Sequence, residues 1–258
     1  MTDADVHEGP VHDDEAAHDP DEEVQPWRHS EVTLTLLFPP FPDPDVTERE
    51  PLPAHDPVRA RRVVEELGTV AEVLQELPER PVGELAWPSV RADLDFVAVG
   101  CWGDVVMVFE PALGSDLLCD AMTAEVARQR ARHPEARIVG SVELDYGNRY
   151  LEEQVLLPTG EEVFAGGWDC DDEDAWSFVG DPQEVLRALG VDRRTAVEVG
   201  FDLDAEPCDR TWSDLGVLAL GWHRRPAGGV ERRHVSSFRV RRSQEGADNL
   251  AEVWFPRF

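Results

Sequence analysis

The sequence predicts an α+β protein with a mixed or antiparallel sheet, a few short helices and a β-rich C-terminal meander. Three observations carry this. Apolar and polar residues alternate over short runs, most regularly at Val32, Leu34, Leu36 and Phe38 and again at Thr195, Val197, Val199, Phe201 and Leu203, the two-residue period of a half-buried strand. Two Asp-Pro pairs, Asp56-Pro57 and Asp181-Pro182, open stretches with helical apolar spacing, which is N-cap and first-turn chemistry. Short turns containing Gly, Asn or Pro punctuate the rest.

Residues 1–29 hold ten acids against the single Arg28 and almost no large apolar side chain before Trp27. Such a segment cannot bury enough surface to offset its ordering entropy, so a disordered acidic tail is expected. A strand follows over 31–38, and then a proline-rich connector to about Ala54. Asp56-Pro57 starts a helix that Gly68 stops. Thr69-x-x-Glu72 reads as a capping box for a second short helix carrying Val70, Val73, Leu74 and Leu77. Leu94–Trp102 and Val105–Phe109 form a hairpin about Gly103-Asp104. A helix over 123–133 precedes three strands at 137–144, 149–157 and 161–168. Asp181-Pro182 opens a helix ended by Gly190. The last third reads as strands at 195–203, 215–224, 230–241 and 250–255. The expected organisation is a tail over 1–29, an α+β core over 30–190, and an antiparallel meander over 191–258 that either extends the core sheet or forms a subdomain.

Composition closes several chemistries. All 24 basic residues are Arg and there is no Lys. A P-loop, a protein kinase, a pyridoxal enzyme and a Ser-x-x-Lys acyl-enzyme each require one. Ile, Asn and Tyr are scarce as well, which fits biased genome composition; a salt-adapted surface is the alternative. Gly-x-Ser-x-Gly, Gly-x-Gly-x-x-Gly and His-Glu-x-x-His are absent. The start of the chain has no secretory pattern, and the apolar run Phe96–Phe109 is broken by Asp104 well short of the roughly 20 residues a membrane span needs. A cytoplasmic protein away from membranes is expected.

Candidate sites are few. Cys101, Cys119, Cys170 and Cys208 form no Cys-x-x-Cys pair and read as small hydrophobes in a reducing compartment. Cys101 as a nucleophile, with His133, His223 or His234 as base, is disfavoured because burial in an apolar strand raises a thiol's pKa. Asp169, Asp171, Asp172 and Asp174 supply the oxygen ligands a divalent cation wants, although an EF-hand frame fails at Asp174 and Gly180. No cofactor is expected. Net charge is −30, yet residues 221–258 hold eight Arg against four acids, and Arg224, Arg225, Arg232, Arg233, Arg239, Arg241 and Arg242 make a basic island suited to an acidic partner or the chain's own tail. The remaining surface would attract a basic protein, and nucleic acid is disfavoured by repulsion. The function expected on these grounds is a non-enzymatic acidic protein-interaction module of the immunity or antitoxin kind. The alternative is a divalent-metal-binding protein or metal-assisted hydrolase using the Asp169–Asp174 cluster.

Five stretches, Thr33–Pro42, His55–Arg61, Arg91–Gly103, His133–Gly140 and Gly180–Gly190, resemble an uncharacterised family of proteins from high-GC Gram-positive bacteria, a domain of unknown function. The resemblance covers roughly residues 31–190. It implies a bacterial cytoplasmic setting and supplies no activity, cofactor or catalytic residue.

Overall fold

The computed structural model describes residues 19–26, 30–42, 51–114, 120–169, 176–224 and 229–255. Their strands are β1 (Glu31–Leu37), β2 (Val70–Pro81), β3 (Phe96–Trp102), β4 (Val105–Phe109), β5 (Arg137–Asp145), β6 (Arg149–Leu156), β7 (Glu162–Trp168), β8 (Trp176–Gly180) and β9 (His234–Arg242). The helices are α1 (Pro57–Glu66), α2 (Ala121–Arg132), α3 (Pro182–Leu189), α4 (Arg193–Val199), α5 (Trp212–Leu220) and α6 (Gln244–Trp254). The strands make one sheet in the order β2-β9-β3-β4-β1-β5-β6-β7-β8, and every neighbouring pair is antiparallel. The protein is α+β.

Both faces of the sheet are used, which is why β3 and β4 are apolar nearly throughout and why β1, expected to be half-buried from its alternation, buries its Thr33 and Thr35 as well as its Val and Leu side chains. One face, called closed below, packs Val32, Leu34, Val99, Val108, Ile138, Phe238 and Val240 against α1, α2 and α6. The other, the open face, sets Leu37, Trp102, Val139, Val155 and Val163 against α3 and α5, with α4 packed on α5. Helix α5 lies over β5 and β6 and α3 over β7, so these helices gather at one end.

Local chemistry is legible at most turns. The Asp56 carboxylate accepts the Arg59 N–H, the Asp181 carboxylate accepts the Gln183 N–H, and Pro occupies the first turn of both helices. The β3–β4 hairpin turns at Gly103 with φ +64, and β5–β6 at Gly147 with φ +93, backbone that a Cβ disfavours.

Four expectations fail, each for an identifiable reason. Residues 69–77 are not a second helix but the start of β2. Its register shifts between Val70 and Glu72, Val73 and Gln75, and Leu77 and Arg80 add residues to the strand, so a two-residue period masquerades as the three-to-four spacing of a helix. The C-terminal meander is absent among the described residues except for β9. Residues 195–203 are α4 and the turn after it: Asp192 accepts the Thr195 N–H at 2.7 Å and Gly200 ends the helix at φ +120, and this capping outweighs β propensity. Leu215–Leu220 is helix α5, apolar all round because sheet and helices cover it; an unbroken apolar run does not distinguish strand from helix. Leu250–Trp254 belongs to α6, capped by Ser243, whose hydroxyl accepts the Gly246 N–H.

Residues 19–26 also depart from the expected disordered tail. Glu23 bridges to Val90, Gln25 donates to the Trp254 carbonyl, and Glu22 pairs with Arg91 at 2.7 Å. Residues 1–18 and 27–29 lie outside the described residues.

Candidate functional site

The antiparallel register draws a straight row across the open face, one residue per strand: Leu77, Ser237, Ala98, Phe109, Thr33, Ser141, Glu153, Ala165 and Phe178. The helices of this face gather over β5–β7, so the row is incompletely covered and two adjoining cavities lie along it. The first, about 760 Å³, has Leu77, Ser237, Ala98 and Phe109 on its floor and Val82, Leu85 and Trp87 of the segment after β2 on its walls. That segment is pinned by Val82 and Gly83 N–H groups donating to the Arg233 and Glu231 carbonyls. The second, about 500 Å³, has Thr33, Ser141, Glu153 and Ala165 below and Trp176, Arg210 and Gly216 around it. Glu31, Met107, Val217 and Trp222 line both.

Among the described residues, five polar atoms of the lining residues are buried without a partner: Ser237 Oγ and Glu110 Oε2 in the first cavity, Trp176 Nε1 and Arg210 Nε in the second, and Nε1 of Trp222, which lines both. Protein interiors satisfy such groups as a rule, because an unmet donor costs about 1–3 kcal/mol. Four of the five can donate, and the fifth, the Glu110 carboxyl oxygen, accepts, so the crevice leaves both kinds of polar group unmet.

Its carboxyls fall into three kinds. Glu143 and Asp169 share Arg149, at 3.1 and 2.6 Å. Glu153, 3 % exposed, accepts the Ser141 hydroxyl at 2.6 Å; burial, with nearby Glu152 and Asp214 adding to it, pushes its pKa up to about 8. Helix α5 crosses directly over this carboxyl at Gly216, where a side chain would collide with it. Glu31 sits opposite Glu143 in the β1–β5 register and makes no ion pair among the described residues. Burial first, and then Glu143, raise its pKa.

Two arrangements that resemble catalytic sites are not set up for catalysis. His55 Nε2 lies 2.9 Å from Ser236 Oγ, the spacing of a base and nucleophile. His55 Nδ1, however, accepts the Cys101 backbone N–H at 3.1 Å. In the neutral ring, favoured here because burial lowers the pKa, Nε2 therefore carries the proton and donates it to Ser236. The pair is a clamp between the segment before α1 and β9. Cys101 is fully buried, and burial pushes its thiol up to about 12, away from the thiolate a nucleophile needs.

Of the acidic cluster, Asp169 is bound to Arg149, and Asp171, Asp172 and Asp174 lie outside the described residues. Among the described residues no three His, Cys, Asp or Glu side chains group so as to hold a metal. The basic island is not a hairpin. Arg242 is buried, donating to Glu110 at 2.6 Å and to the Leu94 carbonyl; Arg241 meets Glu72 at 2.7 Å and Arg239 meets Asp95 at 3.9 Å. Arg233 donates to the Gly229 carbonyl, Arg232 is exposed, Arg224 ends the turn after α5, and Arg225 lies outside the described residues. Sequence reasoning missed the crevice, since Ser237, Glu31 and Trp222 come together only through a register the sequence does not state. No helix among the described residues is long and apolar enough to cross a membrane.

Fold and crevice together define a layered antiparallel α+β protein with an internal crevice on one sheet face. The chain belongs to a family of unknown function, DUF6333, whose model it matches over residues 12–257. The match includes the C-terminal third, which the resemblance read from sequence did not reach. A stretch of 106 residues is 29% identical to a cobyric acid synthase of Acidovorax ebreus (strain TPSY), covering 40% of this chain and 21% of that enzyme. The chain thus spans about a fifth of the length of the curated relative it matches. No solved structure matches.

Proposed function

We propose that this protein binds a small amphipathic molecule in the crevice on the open face of its sheet, in the cytoplasm, and acts by binding rather than by turnover. The observation that carries the reading is the pair of adjoining cavities, apolar in much of their lining, with buried polar groups left without partners along their walls. Ligand sites of this kind are concave, mostly apolar and furnished with a few convergent polar groups. The inverted proton on His55 and the protonated Cys101 thiol support binding without chemistry.

The test is uptake of N-phenyl-1-naphthylamine, a neutral fluorophore that brightens in apolar surroundings. The native chain is expected to take up one equivalent with micromolar affinity. Val217→Trp, a half-buried position lining both cavities, should abolish uptake while circular dichroism and melting temperature stay native. Uptake unchanged by that variant, or no uptake by the native chain, overturns the reading.

A further inference from the structure

We propose that the ligand of this crevice is an elongated organic monocation, its amine or ammonium group held by Glu31 and its apolar body laid over Met107 and Phe109. The inference rests on the binding reading above and names the ligand's chemistry.

Glu31 is the group that selects it. In an antiparallel pair, like charges directly opposite destabilise the sheet, and Glu31 faces Glu143 in that way. The chain answers half of the conflict. Arg149 neutralises Glu143, while Glu31 remains without a cation among the described residues. Glu31 is half-buried, and a carboxylate partly withdrawn from water without a partner gives up solvation that a paired cation restores. Glu31 lines both cavities, so a cation seated in the crevice would relieve the repulsion and complete the pair. An anionic ligand would meet Glu31 and Asp169 with Arg149 already committed to carboxylates.

A second, independent feature points to a ligand and sets its length. Ser237 Oγ, on a residue 5 % exposed, lines the first cavity with no partner. Strand β9 lies three places from β1 in the sheet, or about 14 Å at roughly 4.8 Å per strand spacing. A molecule with its cation at Glu31 and an acceptor at its far end would reach both. Arg80 lies one strand further on and is too distant to neutralise Glu31. The rings between, Phe109 below and Trp222 at the side, suit a flat apolar body and favour a nearby cation.

Three matched probes separate the alternatives: 4-biphenylmethylamine, 4-biphenylmethanol and 4-biphenylcarboxylate, each displacing the naphthylamine fluorophore at pH 8. The amine is expected to compete roughly 10-fold better than the alcohol, and the carboxylate worst. Glu31→Gln should bring the amine down to the alcohol's level and leave the alcohol unchanged. Glu231→Gln, an exposed acid on the rim, should preserve the preference. Equal competition by all three, or a preference that survives Glu31→Gln, overturns the cationic assignment while leaving the cavity reading intact. Failure of the fluorophore to bind removes the cavity reading and this inference with it.

Discussion

The two faces of the sheet show what completeness and incompleteness of packing each provide. On the closed face α1, α2 and α6 span the strands, and even the ionic groups are matched: Glu125 takes Arg128 at 2.7 Å and Gln129 at 2.6 Å, and Arg128 continues to Glu245. On the open face three helices crowd over β5–β7, and the remaining sheet is roofed by a loop with space beneath it. Stability is therefore expected to reside in the first face and binding in the second, since a fully packed surface has no room for a ligand.

The largest effect tests that contrast directly. Phe238 is fully buried on the closed face, so Phe238→Ala should cost about 3–5 kcal/mol in urea denaturation through lost transfer energy and a new cavity. Phe109 borders a cavity that already exists, and Phe109→Ala should cost less than about 2 kcal/mol. Equal losses would mean that the crevice collapses in solution.

Next comes the buried Arg242–Glu110 pair, 6 % and 0 % exposed, which ties the end of β9 to the turn after β4. Arg242→Ala leaves Glu110 charged in the interior and should cost about 3 kcal/mol. Adding Glu110→Gln should recover at least half of that. A double variant no more stable than the single one would show that Arg242 acts through its bond to the Leu94 carbonyl instead.

How much of this was legible in sequence follows from how local each signal is. Asp56 and Asp181 announce α1 and α3 because a cap involves residues two or three apart. The β3–β4 and β5–β6 hairpins were equally plain from their turns. Helix α6 was legible in principle, through Ser243 and the spacing of Leu250, Val253 and Trp254. Strand β2 was not, since bulges erased its period. The crevice is a property of register: Ser237 and Thr33 share a row only because four strands, β9, β3, β4 and β1, align, and no spacing within the chain encodes that.

A smaller effect, visible only against pH, concerns Glu153 on the open face. Its folded pKa of about 8 lies above the ordinary carboxylate value, so the native chain keeps a proton that the unfolded chain releases. Stability from this group is complete below the unfolded value and is lost as pH rises through the folded one, at up to about 1.4 kcal/mol per unit. Asp214 and Glu31, whose pKa values are also raised, act with the same sign. Glu153→Gln can still accept the Ser141 hydroxyl but has no proton to lose. Its stability relative to the native chain should therefore rise between pH 5 and pH 8 by an amount of order 1–3 kcal/mol. A difference that stays flat over that range would mean Glu153 is ionised and solvated in the crevice.

The smallest effect serves as the control that keeps the comparison of faces honest. Helix α1 belongs to the closed face and α3 to the open one, yet each begins with an Asp cap and a Pro in its first turn. A cap's contribution depends on the hydrogen bond to its own first turn and hardly at all on what the helix later packs against. Asp56→Ala and Asp181→Ala should therefore cost nearly the same, about 1 kcal/mol each, and neither should alter fluorophore uptake, because neither residue lines either of the two cavities of the crevice. Should Asp181→Ala cost much more than Asp56→Ala, or weaken uptake, the position of α3 would be coupled to the crevice, and the division between a stabilising face and a binding face would have to be redrawn to include it.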